Sequence, residues 1–263
     1  MEVMGYIAAL FIGISLGLIG GGGSILTVPL FVYLFRVPPI VATSYSLFVV
    51  GSTSLVGSVG NYSKQWIDLK IASLVGLTAI ATVLSIRRYV IPEIPGLITV
   101  DGFEVSFSTV TMTLFALLMI VSSVYMIRHG IEVKANPQKE KSIGTLLAYG
   151  FAIGLITGFL GAGGGFLLIP ALVIMMHVPM KKAIGTSLLI IAINSLAGFI
   201  ADFGHYEVNW SLLVPVAIIA IGGVFIGRRL GQKIRGENLK KGFGWFVLVL
   251  GSYILFHEIA SQF

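Results

Sequence analysis

The sequence predicts an all-α integral membrane protein made of two inverted-topology repeats, each with about five hydrophobic segments. Three observations predict it. Of 263 residues, 56% are hydrophobic and only 11% are charged, with a mean hydropathy of +0.99. A soluble domain carries about 25% charged residues, so this chain lacks the polar surface to face water on all sides. Apolar runs of about 17–24 residues recur from end to end, the length that crosses a hydrocarbon core about 30 Å thick. A glycine-rich stretch also occurs twice. Residues 17–29 read Gly-Leu-Ile-Gly-Gly-Gly-Gly-Ser-Ile-Leu-Thr-Val-Pro, and residues 158–170 read Gly-Phe-Leu-Gly-Ala-Gly-Gly-Gly-Phe-Leu-Leu-Ile-Pro.

Ten apolar segments follow in order: residues 3–20, 24–36, 40–61, 68–90, 107–128, 143–161, 165–177, 181–203, 209–230 and 243–260. The chain opens Met-Glu-Val-Met-Gly-Tyr, without a basic leader, so the first segment is expected to stay in the mature protein. The second and seventh segments have about 13 residues, or about 20 Å of helix, too short to span upright. Each begins just beyond a glycine cluster. Residues 92–106 hold Glu93, Pro95-Gly96, Asp101-Gly102 and Glu104, and read as a loop carrying a small hairpin. Residues 128–142 are polar and contain Asn136-Pro137, a turn signal. They divide the chain into a first repeat at 1–130, a cytoplasmic linker at 131–142 and a second repeat at 143–263.

A shift of 141 positions, the distance from Pro29 to Pro170, aligns residues 17–88 on 158–229 without a gap. It pairs Gly20 with Gly161, Val37-Pro38 with Val178-Pro179, Ser46-Leu47 with Ser187-Leu188, Gly57 with Gly198, and Arg87-Arg88 with Arg228-Arg229. Residues 92–106 then form an insertion in the first half. Five segments is an odd number, so the second half enters the membrane from the opposite side. With alternating segments, fourteen of the 17 basic residues fall on one side, and Arg36, Arg87 and Arg88 on the other. The positive-inside rule makes the first side cytoplasmic and puts both termini outside.

Glycines 20–23 and 163–165 allow left-handed backbone and close approach. Irregular backbone at membrane depth is tolerated only where protein buries it or where it lines a watery cavity. The short helices beyond the breaks, residues 24–35 and 166–176, carry unpaired N–H groups and partial positive charge at their N-termini. Two such termini facing one midplane cavity suit an anion. No Asp, Glu, Lys, Arg or His lies mid-segment, so recognition falls to backbone amides and neutral side chains. The candidate substrate residues are Gly21, Gly22, Gly23, Ser24, Ser44 and Ser46 in the first half, and Gly163, Gly164, Gly165, Thr186, Ser187 and Asn194 in the second. The competing reading is close helix packing, as at Gly13-x-x-x-Gly17 and Gly154-x-x-x-Gly158. Arg36 and His177, matched before Val-Pro, read as interfacial anchors. Asn61 and Asp202 are also matched, at solvated helix ends, and the two arginine pairs read as snorkelling helix-end charges.

The clusters resemble phosphate loops, but no Gly-Lys-Ser/Thr follows and each is preceded by a membrane-length run, which excludes nucleotide binding. There is no cysteine and no metal-spaced histidine cluster. No cofactor, metal, nucleic acid or catalytic constellation is expected, and the chain does not read as an enzyme. On its two glycine-rich segments, the Val-Pro continuations to Ser46 and Ser187, and the two-half organisation, the chain resembles the sulfite exporter TauE/SafE family over nearly its whole length. That resemblance implies a multi-pass permease of a bacterial or archaeal plasma membrane for sulfite or an organosulfonate. The expected partners are a small anion and the bilayer. A proton or sodium coupling ion and a homo-oligomeric state stay open. A channel-like anion pore is the nearest alternative, and a non-transporting scaffold or assembly factor the next.

Overall fold

The computed structural model describes residues 2–20, 22–62, 65–94, 97–100, 103–128, 142–161, 164–170, 172, 178–231 and 236–260. Residues 131–141 of the predicted linker and His177 lie outside them. Helix α1 (Glu2–Ile19) ends at the first glycine cluster. Helix α2 is short and irregular: a 3-10 turn (Gly22–Leu26), one α turn (Thr27–Pro29) and a π turn (Leu30–Leu34). Helices α3 (Pro39–Tyr62) and α4 (Leu69–Ser85) follow, and α4 continues into a π turn (Ile86–Val90) and a 3-10 turn (Ile91–Glu93). The expected hairpin is present as antiparallel β1 (Leu97–Val100) and β2 (Phe103–Ser106), with Val100 paired to Phe103. Then come α5 (Phe107–Arg128), α6 (Ile143–Leu160), α7 (Gly165–Pro170), α8 (Met180–Asp202), α9 (Trp210–Gly231) and α10 (Gly236–Ala260).

Among the described residues, six helices are long and apolar enough to cross a membrane: Pro39–Asn61, Leu69–Glu93, Phe107–Tyr125, Ile143–Leu160, Lys181–Asp202 and Trp210–Leu230. Those of α3 and α8 are 67% enclosed by protein, against 39% for α4, α6 and α9, so α3 and α8 form the centre. The outer helices turn Phe11, Leu77, Val121, Phe151, Ile218 and Val249 outward, an apolar surface that suits lipid. A two-part core fills the interior, one part around Phe31, Tyr45, Leu47 and Phe115, the other around Val50, Val75, Leu168 and Ile190.

The heaviest packing pairs are α1 with α9, α4 with α6, α3 with α8, α5 with α10, α4 with α8 and α3 with α9. Adding or subtracting five from each helix number returns the same set of pairs. Close contacts repeat too. A methyl at Gly13 would run into the backbone of Ala220, and one at Gly154 into the backbone of Ala79, which is the position equivalent to Ala220. Gly57 faces Leu188 and Gly198 faces Leu47, again equivalent positions. Along α3 the contacts Leu47–Gly198, Gly51–Leu196 and Gly57–Leu188 climb as α8 descends, so these two central helices are antiparallel.

Both helix breaks are built alike. Gly20 (φ +71°) and Gly161 (φ +66°) adopt left-handed backbone. Their N–H groups bond the carbonyls four residues back, at Leu16 (2.8 Å) and Thr157 (3.0 Å), a left-handed helix C-cap. Beyond the breaks, Val37 N–H bonds Phe31 O and Val178 N–H bonds Leu172 O, both at 2.9 Å.

Candidate substrate site

The two breaks lie close together in space, because the Gly22–Leu26 turn packs against α7. A methyl at Gly20 would collide with Ile184 and one at Gly161 with Thr43, two positions that are again equivalent. Gly23 sits against Leu16 N and Ile12 O, and Gly164 (φ +64°) against the Thr157 hydroxyl. Backbone this tight at four points requires glycine. Gly21 and Gly163 lie outside the described residues. Gly22 opens the 3-10 turn, and Gly165, which is buried, opens α7.

The candidate hydroxyls are buried and mostly committed. Ser46 shares a hydrogen bond with Thr27, whose hydroxyl also donates to Ser24 O at 2.7 Å. Thr186 accepts from Asp68 N at 2.9 Å, which ties the α3–α4 loop to the start of α8. Ser187 donates to Ile184 O at 3.0 Å within its own helix. Ser44 lies at a tight junction with Tyr45, Asp202 and Tyr206. Asn194 is wholly buried, and neither side-chain atom has a hydrogen-bond partner among the described residues.

A cavity of about 170 Å³ lies between α1, α3, α8 and α9, lined by Leu16, Gly17, Thr53, Asn61, Trp66 and Arg228 among others. It has room for several waters. It reaches the first break at Gly17 and Leu18 and continues along one face of α3 at Thr53, Gly57 and Asn61. Its charged lining group is Arg228, and Lys181 stands 5.3 Å from the Trp66 ring centre, so its mouth is basic. Gly60 lets the Arg228 guanidinium lie flat on α3, where a methyl would collide with it. A larger cavity, about 700 Å³, lies between α1, α2 and α10, lined by residues such as Phe11, Leu30 and Phe246. That apolar lining suits an acyl chain and not an anion.

Thr53, Gly57 and Asn61 are themselves buried, and the positions 141 residues away differ in charge and in cavity space. Asn194, Gly198 and Asp202 on α8 and Arg87 beside them are all buried. Arg87 and Asp202 form an ion pair, Nη1 to Oδ2 at 2.6 Å, with side chains 1% and 3% exposed. The junction around Asp202, Phe199, Phe203 and Tyr206 holds no space for a water. Rings of Phe48, Phe199, Phe203 and Trp210, packed edge-on or tilted, lie beside it with centroids 5.0–6.4 Å apart. Burial, then the Asp202 charge, pushes the Tyr206 phenol above its ordinary range, against a smaller opposing pull from Arg87. Snorkelling was the expectation for Arg87 and a solvated helix end for Asp202. Both are corrected here: the π turn Ile86–Val90 turns Arg87 inward, where only a partner carboxylate makes its burial tolerable.

A family model described as sulfite exporter TauE/SafE matches residues 6–254. The chain belongs to the sulfite exporter TauE/SafE family. Among similar proteins, a probable membrane transporter protein of Xylella fastidiosa (strain 9a5c) is 28% identical over 260 residues, covering 95% of this chain and 93% of that one. The probable membrane transporter protein YdhB of Bacillus subtilis is 24% identical over 245 residues, covering 93% and 96%. MJ0441 of Methanocaldococcus jannaschii, also a probable membrane transporter protein, is 31% identical over 115 residues, 41% of this chain and 43% of that one. No solved structure matches. This TauE/SafE chain is therefore a multi-pass membrane protein of a transporter family.

Proposed function

We propose that the protein is a secondary permease for a small oxyanion, sulfite or an organosulfonate, working by alternating access between two inverted halves. The halves are residues 1–130 and 143–263, joined by a cytoplasmic linker at 131–142. One observation carries the reading. Thr53, Gly57, Asn61 and Arg228 line a cavity of about 170 Å³, while among the equivalent Asn194, Gly198, Asp202 and Arg87 the last two form a buried ion pair beside a junction with no space for a water. Two related mouths, one open and one shut, are the arrangement alternating access requires. A continuous pore would leave both open.

In this reading the open mouth is cytoplasmic, because Lys70, Lys181, Lys182, Arg228 and Arg229 lie at its end of the bundle. Arg228 draws the anion in, and the low-dielectric walls around it strengthen that attraction. The glycine breaks are the hinge. Gly22, Gly23 and Ser24 with Gly164 and Gly165 bring backbone N–H groups toward the contact between the breaks. Ser44, Ser46, Thr186, Ser187 and Asn194 become available as the surrounding helices shift. The supporting facts are the shared left-handed geometry at Gly20 and Gly161 and the contact between the two breaks.

The test is uptake by purified protein in liposomes, against sulfite, methanesulfonate, sulfate and acetate. Saturable flux of a sulfur oxyanion supports the reading. No flux of any sulfur oxyanion overturns it, and flux that never saturates replaces the permease with a pore.

A further inference from the structure

We propose that Arg87 is an oxyanion-binding residue of the closed mouth, and that Asp202 occupies it as an internal carboxylate until an oxyanion takes its place. This rests on the permease reading and adds a site to it.

The pairing geometry carries the argument. A guanidinium presents five N–H donors in a fork that matches a carboxylate with two parallel bonds. Arg87 uses a single nitrogen on Asp202, Nη1 to Oδ2. Its Nε and Nη2 are buried and have no partner among the described residues. A buried ion pair offsets its desolvation best when further hydrogen bonds satisfy the remaining donors, and here two donor nitrogens are left over. A sulfite or sulfonate group brings three oxygens, enough for the donors that Asp202 leaves over. The neighbouring column tells the same story. Asn194 is fully buried with both amide atoms unpartnered, and so is the Thr157 hydroxyl at the second break. Their equivalents are Thr53 and Leu16, which line the open cavity. Unpartnered hydroxyls occur in both halves, at Ser54 and the equivalent Ser195, but Asn194, Thr157 and Arg87 add polar atoms without a partner among the described residues where Thr53, Leu16 and Arg228 border a cavity.

Two differences between the mouths give the site its behaviour. Arg87 lies in a π turn, whereas Arg228 lies in regular α-helix within α9. Relaxing the π turn to α would re-aim the Arg87 side chain, so this turn is the element with two arrangements. Asp202 is replaced by neutral Asn61 at the open mouth. An incoming anion competes with a carboxylate at Arg87, whereas the described lining of the Arg228 cavity holds no carboxylate. The mouth that holds Asp202 is therefore the weaker-binding one, suited to release.

The experiment measures sulfite half-saturation on each face of oriented proteoliposomes. Wild type is expected to half-saturate at about tenfold higher concentration on the Asp202 face, the effect of one charge pair of modest strength. Asp202→Asn should lower that value about tenfold without changing the Arg228 face, and Arg87→Gln should remove saturable capture there. An unchanged half-saturation in Asp202→Asn overturns the proposal. The double variant Arg87→Gln with Asp202→Asn buries no charge and controls for folding. A second measurement does not depend on flux. The chain has no cysteine, so Asn194→Cys introduces a single thiol. In the Asp202→Asn background an impermeant thiol reagent should label it from the Asp202 face, and methanesulfonate should slow labelling more than chloride at equal ionic strength. Protection without flux would sustain the site and remove the permease reading. Flux without protection, or no labelling at all, would remove the site and leave the permease.

Discussion

Replacing Gly161 by Ala should destabilise the protein by about 2–5 kcal/mol. Left-handed backbone at a residue with a Cβ costs about 1–2 kcal/mol, and Gly161 sits at φ +66°. The new methyl would also meet the Thr43 side chain and backbone carbonyl, neither of which is the free end of a flexible chain. Such overpacking adds about 1–3 kcal/mol. Two companions separate the terms. Gly204 has φ +91° with nothing within 4 Å, so Gly204→Ala should show the backbone term alone, about 1–2 kcal/mol. Gly222 is helical with nothing within 4 Å, so Gly222→Ala should be neutral or stabilising by about 0.5–1 kcal/mol. The assay is equilibrium unfolding in mixed micelles, read by near-UV circular dichroism. The reasoning fails if Gly161→Ala loses no more than Gly204→Ala, because the break would then not be held against α3.

Other outcomes follow from the same structure. Arg87→Gln and Asp202→Asn should each cost about 3–5 kcal/mol by leaving a buried charge or dipole unpaired, and the double variant should recover most of it in a denaturation cycle. Asp68 caps α4 by accepting from Ile71 N at 3.1 Å. Asp68→Ala should therefore lower stability by about 0.5–2 kcal/mol, measured as a shift in unfolding midpoint. Gly60→Ala should push the Arg228 guanidinium off α3 and weaken sulfite capture at the open mouth several-fold, read as a rise in half-saturating concentration with maximal flux retained.

The breaks were legible because a run of glycines in apolar sequence has few structural uses, and Gly20 and Gly161 do adopt the left-handed backbone that only glycine takes readily. The β1–β2 hairpin was legible from Asp101-Gly102, and the shortness of α2 from the distance between the glycines and Val37-Pro38. The roles of single polar residues were not. Thr186 receives the Asp68 N–H from 118 positions away, and Ser46 meets Thr27 across a helix contact, pairings that depend on packing and not on local pattern. Arg87 misled for a similar reason. A helix-end arginine snorkels unless the helix changes pitch, and the π turn that buries this one leaves no mark in composition. One signal was available: the repeat places an arginine at 87 and 228, and Asp202 opposite Asn61. An ion pair at one mouth and a neutral lining at the other could have been read from that single exchange.

The most direct test of the central claim is counterflow. Liposomes loaded with unlabelled sulfite are diluted into trace labelled sulfite at equal ionic strength. A permease with alternating mouths predicts transient uptake of label above equilibrium, driven by exit of the unlabelled anion, and loss of that overshoot in Arg228→Gln. Uptake that only approaches equilibrium, with or without internal sulfite, would contradict it.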